Sequence, residues 1–442
     1  MRKTLPTGTD NFREIIKGNQ YYIDKTLLIR DFLRLQDKAA LITRPRRFGK
    51  TLNLSMLEAF FDITQDSRDI FAGLDIMETE YADQINSRPV ISLTFKNCES
   101  TTFEELKRDM LAEVFKAYKK YEPAVKEKVA DLAQNDTHQF FEMYAFLRAR
   151  RADHFMAESL YILIEMLSIV YEQKPLVLID EYDKPIEAAY TNGHQDDFTP
   201  FYNKMFNNAL KTNPHLGQVL LTGVQRVAKT SSFSGLNHFA MYTVFDHHYH
   251  PYFGLTEHEV ETMLADFDMV LCDEVRHFYN GYRFSGMNMY NPWSLLFYVQ
   301  NRSLEPYWIG TSTNKLIKEA LLHATEEFLE DFDQLITKGY ADVYINLSSS
   351  FMELNRTDVL WGMLINAGYL TTEERFAYDY VRVRFPNKEV VDEVRKMVAD
   401  NALKQIIDNR NYTAFAGDVL CIGIAHDKKV VHLAHKVISV ND

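Results

Sequence analysis

Short apolar runs alternate with helix-period segments through the first half of the chain. Ala39-Ala-Leu-Ile-Thr43, Val90-Ile-Ser-Leu-Thr-Phe95, Leu176-Val-Leu-Ile-Asp180 and Gln218-Val-Leu-Leu-Thr222 are nearly continuous in apolar character. Runs of that length predict strands buried on both faces, as in parallel sheets. Ahead of the first run stand a turn-like start with Pro6 and Gly8 and a patterned run from Tyr21 to Leu35. After it, Leu52, Leu54, Leu57, Phe60 and Phe61 recur at helical spacing. Apolar stripes predict further helices from Glu104 to Tyr121, Phe155 to Tyr171 and Phe201 to Lys211. Strands alternating with helices predict an α/β fold, a parallel sheet covered by helices on both faces. After about Pro251 the pattern changes, and helical segments dominate from Thr256 to Ala324. Near Leu360 a helix runs into Gly368-Tyr-Leu-Thr371, and Phe376 to Phe385 alternates like a hairpin. Helix, short strand and hairpin together predict a winged-helix-like region.

Composition narrows this picture. The 442 residues are 46% hydrophobic and 25% charged, enough for two or three domains with real cores, which excludes a disordered chain. The net charge of -13 excludes a general nucleic-acid-binding body, although a local basic groove stays compatible with it. From Thr371 to Asp442 acids and bases are equal in number, so strong nucleic-acid binding is not expected there and the wing is read as protein-facing. Three scattered cysteines, Cys98, Cys272 and Cys421, form neither a disulfide framework nor a zinc pattern and suit a reducing compartment. No run approaches the roughly 20 apolar residues of a membrane span, and no apolar core follows the basic start. A cytoplasmic protein without a membrane partner is therefore expected.

The most informative stretch is Thr43-Arg-Pro-Arg-Arg-Phe-Gly-Lys-Thr51, where a strand feeds a turn that opens a helix. Main-chain amides and the positive helix end suit an anion at such a place. Gly49 lets the backbone approach, Lys50 reaches terminal phosphates, and the Thr51 hydroxyl ligates Mg²⁺. The generic phosphate loop has a glycine where this chain has Arg44. Arg44, Arg46 and Arg47 add positive charge, and Pro45 stiffens the turn. A basic turn that binds nothing is the plain alternative.

A later strand ends in Asp180-Glu181, with Asp183 close behind. Asp180 is the candidate second metal ligand and Glu181 the candidate base for an attacking water. On an extended chain the two would point to opposite sides. Leu221-Thr-Gly-Val-Gln-Arg226 ends a further strand; Thr222 or Gln225 could hold the water and Arg226 could neutralise developing charge. Asp246-His-His-Tyr-His250 invites a metal site through His247 and His250, but lacks a second ligand pair and reads as a loop. Trp293 and Trp308 read as core anchors.

These motifs resemble the AAA-ATPase-like family of bacterial P-loop proteins, which often carries a C-terminal module of the PD-(D/E)XK nuclease superfamily. That family's phosphate loop reads Arg-Pro-Arg-Arg-Phe-Gly-Lys-Ser/Thr, as residues 44–51 do here. Tyr21-Tyr-Ile-Asp-Lys-Thr26, Leu178-Ile-Asp-Glu-Tyr-Asp183, Thr222-Gly-Val, Phe233-Ser-Gly-Leu-Asn237, Phe253-Gly-Leu-Thr-Glu257, Tyr279-Asn-Gly-Tyr282 and Tyr290-Asn-Pro-Trp-Ser294 are similar to its other motifs, in order, from about Leu5 to Leu370. The resemblance implies an N-terminal segment over residues 1–36, an ATPase core over 37–255, a helical and winged-helix-like region over 256–386, and a nuclease-superfamily remnant over 387–442. It implies ATP with Mg²⁺ as ligands, nucleotide contacts from Phe48 and the rest of residues 44–51, and Asp24 with Lys25 closing over the nucleotide. Ala402-Leu-Lys-Gln-Ile406, Tyr412 and Val419-Leu-Cys-Ile-Gly-Ile-Ala425 resemble the close of the nuclease module. Only 16 residues separate Phe385 from Ala402, too few for its two catalytic strands, so this chain is expected not to cut nucleic acid. Three functions are weighed: a slow Mg²⁺-dependent ATPase, a nucleotide-gated interaction module without turnover, and an idle remnant of an ATPase–nuclease system. A protein partner and self-association are both left open.

Overall fold

The four apolar runs pair with one another. In a computed structural model of the chain, β1 (Ala39–Thr43), β2 (Val90–Thr94), β3 (Leu176–Asp180), β4 (Gln218–Gly223) and β5 (Ala240–Tyr242) form one all-parallel sheet in the order β2-β3-β4-β1-β5. The structure describes residues 3–128, 134–150, 154–226, 238–308, 324–347, 353, 356–396, 417–427 and 430–440. Phe233–Asn237, Ala402–Ile406 and Tyr412 therefore lie outside the described residues. The chain divides into two units, residues 1–254 with 347–353 and residues 255–346 with 354–442.

In the first unit each strand buries both faces because its side chains alternate between two apolar layers. Ala40, Ile42, Val90, Leu176, Leu178 and Leu220 point into one layer. There they meet α1 (Phe12–Lys17), α2 (Leu27–Leu35), α3 (Lys50–Phe61) and the short α4 (Arg68–Phe71) through Phe12, Phe32, Met56, Leu57, Phe60 and Phe71. The alternate residues Leu41, Ile91, Leu93, Val177, Ile179, Val219 and Leu221 are equally buried on the other side. That side carries α5 (Phe103–Lys128), α6 (Gln134–Arg148), α7 (Ser159–Tyr171), α8 (Lys184–Thr191) and α9 (Gln195–Phe206). Tyr121 of α5 bonds both the amide and the carbonyl of Val90, each at 2.8 Å, and so pins its helix to the sheet. The apolar pattern ends α5 too early: the helix runs on through Pro123 to Lys128.

The second unit begins with β6 (Leu255–Thr256), α10 (Glu257–Asp266) and α11 (Asp273–Tyr279). Helical segments are expected to dominate from Thr256 to Ala324, and a short antiparallel sheet stands among them. β7 (Tyr282–Phe284) and β8 (Met287–Tyr290) form a hairpin that joins β6 in a three-stranded sheet. Its two-residue turn, Ser285-Gly286, has positive φ at both positions, 49° and 85°, the twist that suits a tight hairpin. α12 (Pro292–Asn301) follows, capped by Asn291. Then α13 (Glu326–Lys338), β9 (Ala341–Tyr344), α14 (Thr357–Ala367), β10 (Thr371–Arg375) and β11 (Tyr380–Arg384) place a second antiparallel sheet, order β10-β11-β9, beside two helices. α14 stops at Gly368, which takes the left-handed conformation at φ 87°. Trp308 is buried, and the half-buried Trp293 donates its ring N–H to Tyr307. β12 (Gly417–Asp427) and β13 (Val430–Val440) pair as an antiparallel ribbon. Among the described residues no helix is long and apolar enough to cross a membrane.

Candidate functional site

Three strand ends meet at one edge of the parallel sheet. β1 ends at Thr43, β3 at Asp180 and β4 at Gly223, and the carboxyl ends of such strands are where open α/β sheets take ligands. The ladder continues past them: Arg44 N–H donates to Gly223 O and Tyr182 N–H to Thr222 O, both at 3.1 Å.

The turn after β1 passes twice through the left-handed region, at Arg47 (φ 69°) and Gly49 (φ 82°). That conformation is strained for arginine and free for glycine. Nothing lies within 4 Å of where a Cβ on Gly49 would sit, so the main chain is open on that side. α3 starts at Lys50 without a capping side chain, which leaves its first amides and its positive end directed at the turn. Lys50 is only 7% exposed, and its Nζ donates to the carbonyls of Arg44 and Pro45, both at 2.9 Å. Burial lowers its pKa, opposed by Asp180, Glu181 and Asp183.

Asp180 is the hub. Its Oδ2 accepts from the Thr51 hydroxyl at 2.6 Å; its Oδ1 accepts from the Thr222 hydroxyl at 2.7 Å and from Glu181 N–H at 3.0 Å. A hydroxyl and a carboxylate side by side are hard oxygen donors of the kind Mg²⁺ takes together with phosphate oxygens and water. The donor set and the open glycine turn fit a Mg²⁺–polyphosphate ligand. Glu181 does not continue the strand. It sits at φ 52°, so the opposite-sides argument from an extended chain does not apply. Burial raises its pKa first and the neighbouring Asp180 charge second, while Lys50 opposes.

The other candidate residues divide. Phe48 is fully buried beneath the turn. Arg46 reaches Glu187 at 3.9 Å, and Arg47 lies within electrostatic reach of Glu181. Arg44 faces the other way. Its guanidinium is buried, donates to the carbonyls of Thr43 at 2.8 Å and Tyr242 at 3.0 Å, and lies 5.4 Å from the centre of the Phe253 ring. Burial pushes its pKa down to about 9, so it stays charged at neutral pH. Asp24 also serves elsewhere: it accepts from Thr26 N–H and Asp75 N–H, both at 2.8 Å, and ties the start of α2 to the Asp75 turn. Lys25 donates to Pro251 O at 2.7 Å. Gln225 is buried, and Arg226 turns its Nε to Met241 Sδ at 2.7 Å. The His250 ring bonds the His247 carbonyl, and among the described residues no three His, Cys, Asp or Glu side chains are grouped to hold a metal.

Two roles had no clear sequence signal. Thr222 holds Asp180 rather than standing apart, and Asp183 accepts main-chain amides of Val224 and Gln225. The hint for both was that they fall at adjacent strand ends.

A family model described as Predicted AAA-ATPase matches residues 6–233, about half of the chain. The chain is also similar to an "Uncharacterized protein in vnfD 5'region" of Azotobacter chroococcum mcd 1. The two are 28% identical over 395 residues, covering 88% of this chain and 68% of that protein.

Proposed function

The chain belongs to the AAA-ATPase-like family, and on that premise we propose that it binds ATP with Mg²⁺, hydrolyses it slowly, and uses the bound nucleotide to set a conformational switch. The observation that carries this reading is the 2.6 Å contact between Thr51 and Asp180 beside the open Gly49 turn.

In this reading the amides of residues 49–51 and the Lys50 ammonium bind the terminal phosphates, and Thr51 with Asp180 holds the metal. Mg²⁺, when bound, supplies charge neutralisation across the phosphates. Glu181 takes the proton of the attacking water. Burial and the Asp180 charge raise its pKa, which makes it a stronger base than an exposed carboxylate. Thr222 orients Asp180, and Arg226 answers to charge on the terminal phosphate. Turnover is slow because the Arg226 Nε is engaged with Met241 Sδ; a partner commonly supplies a transition-state arginine. The choice of ATP over GTP rests on the family.

The switch half is supported by what grips residues 251–253 at the end of the first unit. Arg44, from the turn, lies over Phe253. Asn53, one turn along α3 from Lys50, donates to Tyr252 O at 2.9 Å, and Lys25 holds Pro251 O. A shift of the turn on binding phosphate is thereby passed to this stretch. Calorimetry with ATP, GTP and a Lys50→Ala variant tests the binding. Mg·ATP should release heat with the native chain and not with the variant, and equal heats from both would overturn the reading. Proteolysis patterns that do not differ between ATP and ADP would remove the switch.

A further inference from the structure

Asp183 directly precedes α8, with Pro185 in the helix's first turn. An aspartate at that position ordinarily accepts an amide of its own helix. Asp183 makes no such bond. Its Oδ2 instead accepts from Val224 N–H at 2.9 Å and Gln225 N–H at 2.7 Å, the two residues that follow β4. The residue is 6% exposed. Burial raises its pKa and the two amides work against that rise. A buried carboxylate is costly unless its charge is met by hydrogen bonds, and starting a helix at the surface does not require one.

The neighbouring contacts press the same two segments together. Tyr182 OH donates to Gln225 O at 2.6 Å, and Tyr202 OH donates to Tyr182 O at 3.1 Å. Gly223 has no Cβ, and one built there would stand 2.6 Å from the Tyr182 ring and 2.7 Å from Asp183 Oδ1. The stretch 182–183 follows the Asp180-Glu181 pair, while 223–225 lies between Thr222 and Arg226. Both oxygens of Asp183 are thus directed at β4's exit: one takes its amides and the other lies against Gly223.

We propose that Asp183 is a positioning residue that fixes the Val224–Arg226 segment relative to the Asp180–Glu181 pair, so that nucleotide turnover, and not nucleotide affinity, depends on its carboxylate. This assigns Asp183 a different task from that of a spare acid near the metal. The turnover half rests on the ATPase reading; the clamp itself does not.

The test uses the full chain as wild type, Asp183→Ala and Asp183→Asn. Asparagine keeps one oxygen that accepts the amides and removes the charge. Amide hydrogen exchange without nucleotide should quicken on the order of tenfold or more at Val224 and Gln225 in Asp183→Ala, with β1 and β3 unchanged, as expected when a buried hydrogen-bond partner is lost. Calorimetric affinity for Mg·ATP should stay within about threefold while kcat falls by roughly ten- to a hundredfold, and Asp183→Asn should recover much of both losses. Should the alanine variant not fold, the asparagine variant carries the same comparison with smaller changes. Unchanged exchange at Val224 and Gln225 overturns the clamp. Faster exchange with unchanged kcat, or affinity falling in step with kcat, overturns the positioning role. Absence of turnover in the wild type removes the ATPase reading and the catalytic half with it, and exchange alone then decides the clamp.

Discussion

The Thr51 hydroxyl donates to Asp180 Oδ2 at 2.6 Å although the two residues stand 129 positions apart. Asp180 ends β3 and Thr51 lies in α3, the helix that follows β1; between β1 and β3 lies β4, whose Thr222 holds the other Asp180 oxygen at 2.7 Å. One carboxylate therefore joins the helix after the phosphate turn to two strand ends. Both of its oxygens are oriented by hydroxyls, one from Thr51 and one from Thr222.

Asp180→Asn should keep one accepting oxygen for Thr222 and Glu181 N–H and lose the charge, with the Thr51 hydroxyl accepting from the new amide instead of donating. With the native chain, Mg²⁺ is expected to tighten ATP binding by about tenfold or more; in the variant that gain should shrink to under about threefold, since one charged ligand of the hard-oxygen set is gone. Calorimetry with and without Mg²⁺ reads the difference. An undiminished Mg²⁺ effect would show that Asp180 holds no metal.

Glu181→Gln should bind Mg·ATP as tightly as the native chain and lose hydrolysis by roughly a hundredfold or more, the scale of general-base catalysis. The pH profile carries the same assignment. Burial and the Asp180 charge raise the Glu181 pKa, and the base works only when ionised. Turnover at saturating ATP should therefore fall on acidification, with a midpoint above the ordinary value of 4.5. A flat profile between pH 5 and pH 8 together with wild-type turnover in the variant would eliminate Glu181 as the base.

Gly223 is glycine because of what packs on it, not because of its turn. A methyl group there would overlap the Tyr182 ring and Asp183 Oδ1. Both neighbours are buried, so neither yields cheaply. Gly223→Ala should cost about 1–3 kcal/mol of stability, the usual range for overpacking. Thermal unfolding should show a midpoint several degrees lower, and a variant as stable as the native chain would mean that Tyr182 moves aside freely.

Much of this architecture was legible from residue order, and the parts that were not share a cause. β1 to β4 were readable because each is a continuous apolar run, which only a strand covered on both faces requires. β5 has three residues, too few to make a pattern. The β7–β8 hairpin has strands of only 3 and 4 residues set between helical segments, and only Ser285-Gly286 marks its turn. In the site, Gly49-Lys50-Thr51 and Asp180-Glu181 stood out because few other contexts need those residue types at strand ends. The directions of Arg44 and Asp24 were not readable. Arg44 is drawn inward by the carbonyls of Thr43 and Tyr242, and Asp24 by the amides of Thr26 and Asp75. Those partners include residues distant in the chain, which local sequence does not bring to view. Glu181 likewise departs from the strand's alternation because its backbone turns left-handed right after Asp180.

Glu389 gives the second unit a pH dependence of its own. It is fully buried, accepts from the Ser294 hydroxyl at 2.9 and 3.0 Å, and accepts from Trp308 N–H at 2.7 Å. Burial pushes its pKa up to about 7 against an ordinary value of 4.5. In that interval the folded chain holds a proton that the unfolded chain has released. Stability from this group is therefore full below about pH 4.5, declines as pH rises toward 7, and is level above it, with a total change of about 3 kcal/mol. All three tryptophans, Trp293, Trp308 and Trp361, belong to the second unit, so their fluorescence reports its unfolding separately from the first. Melting followed by that signal should show a higher midpoint at pH 5.5 than at pH 8 in the native chain. Glu389→Gln, which cannot titrate, should show a smaller difference between the two pH values. Equal pH shifts in both proteins would mean that the Glu389 carboxyl loses its proton at the same pH folded and unfolded, and that its burial is relieved in a way the Ser294 and Trp308 contacts do not account for.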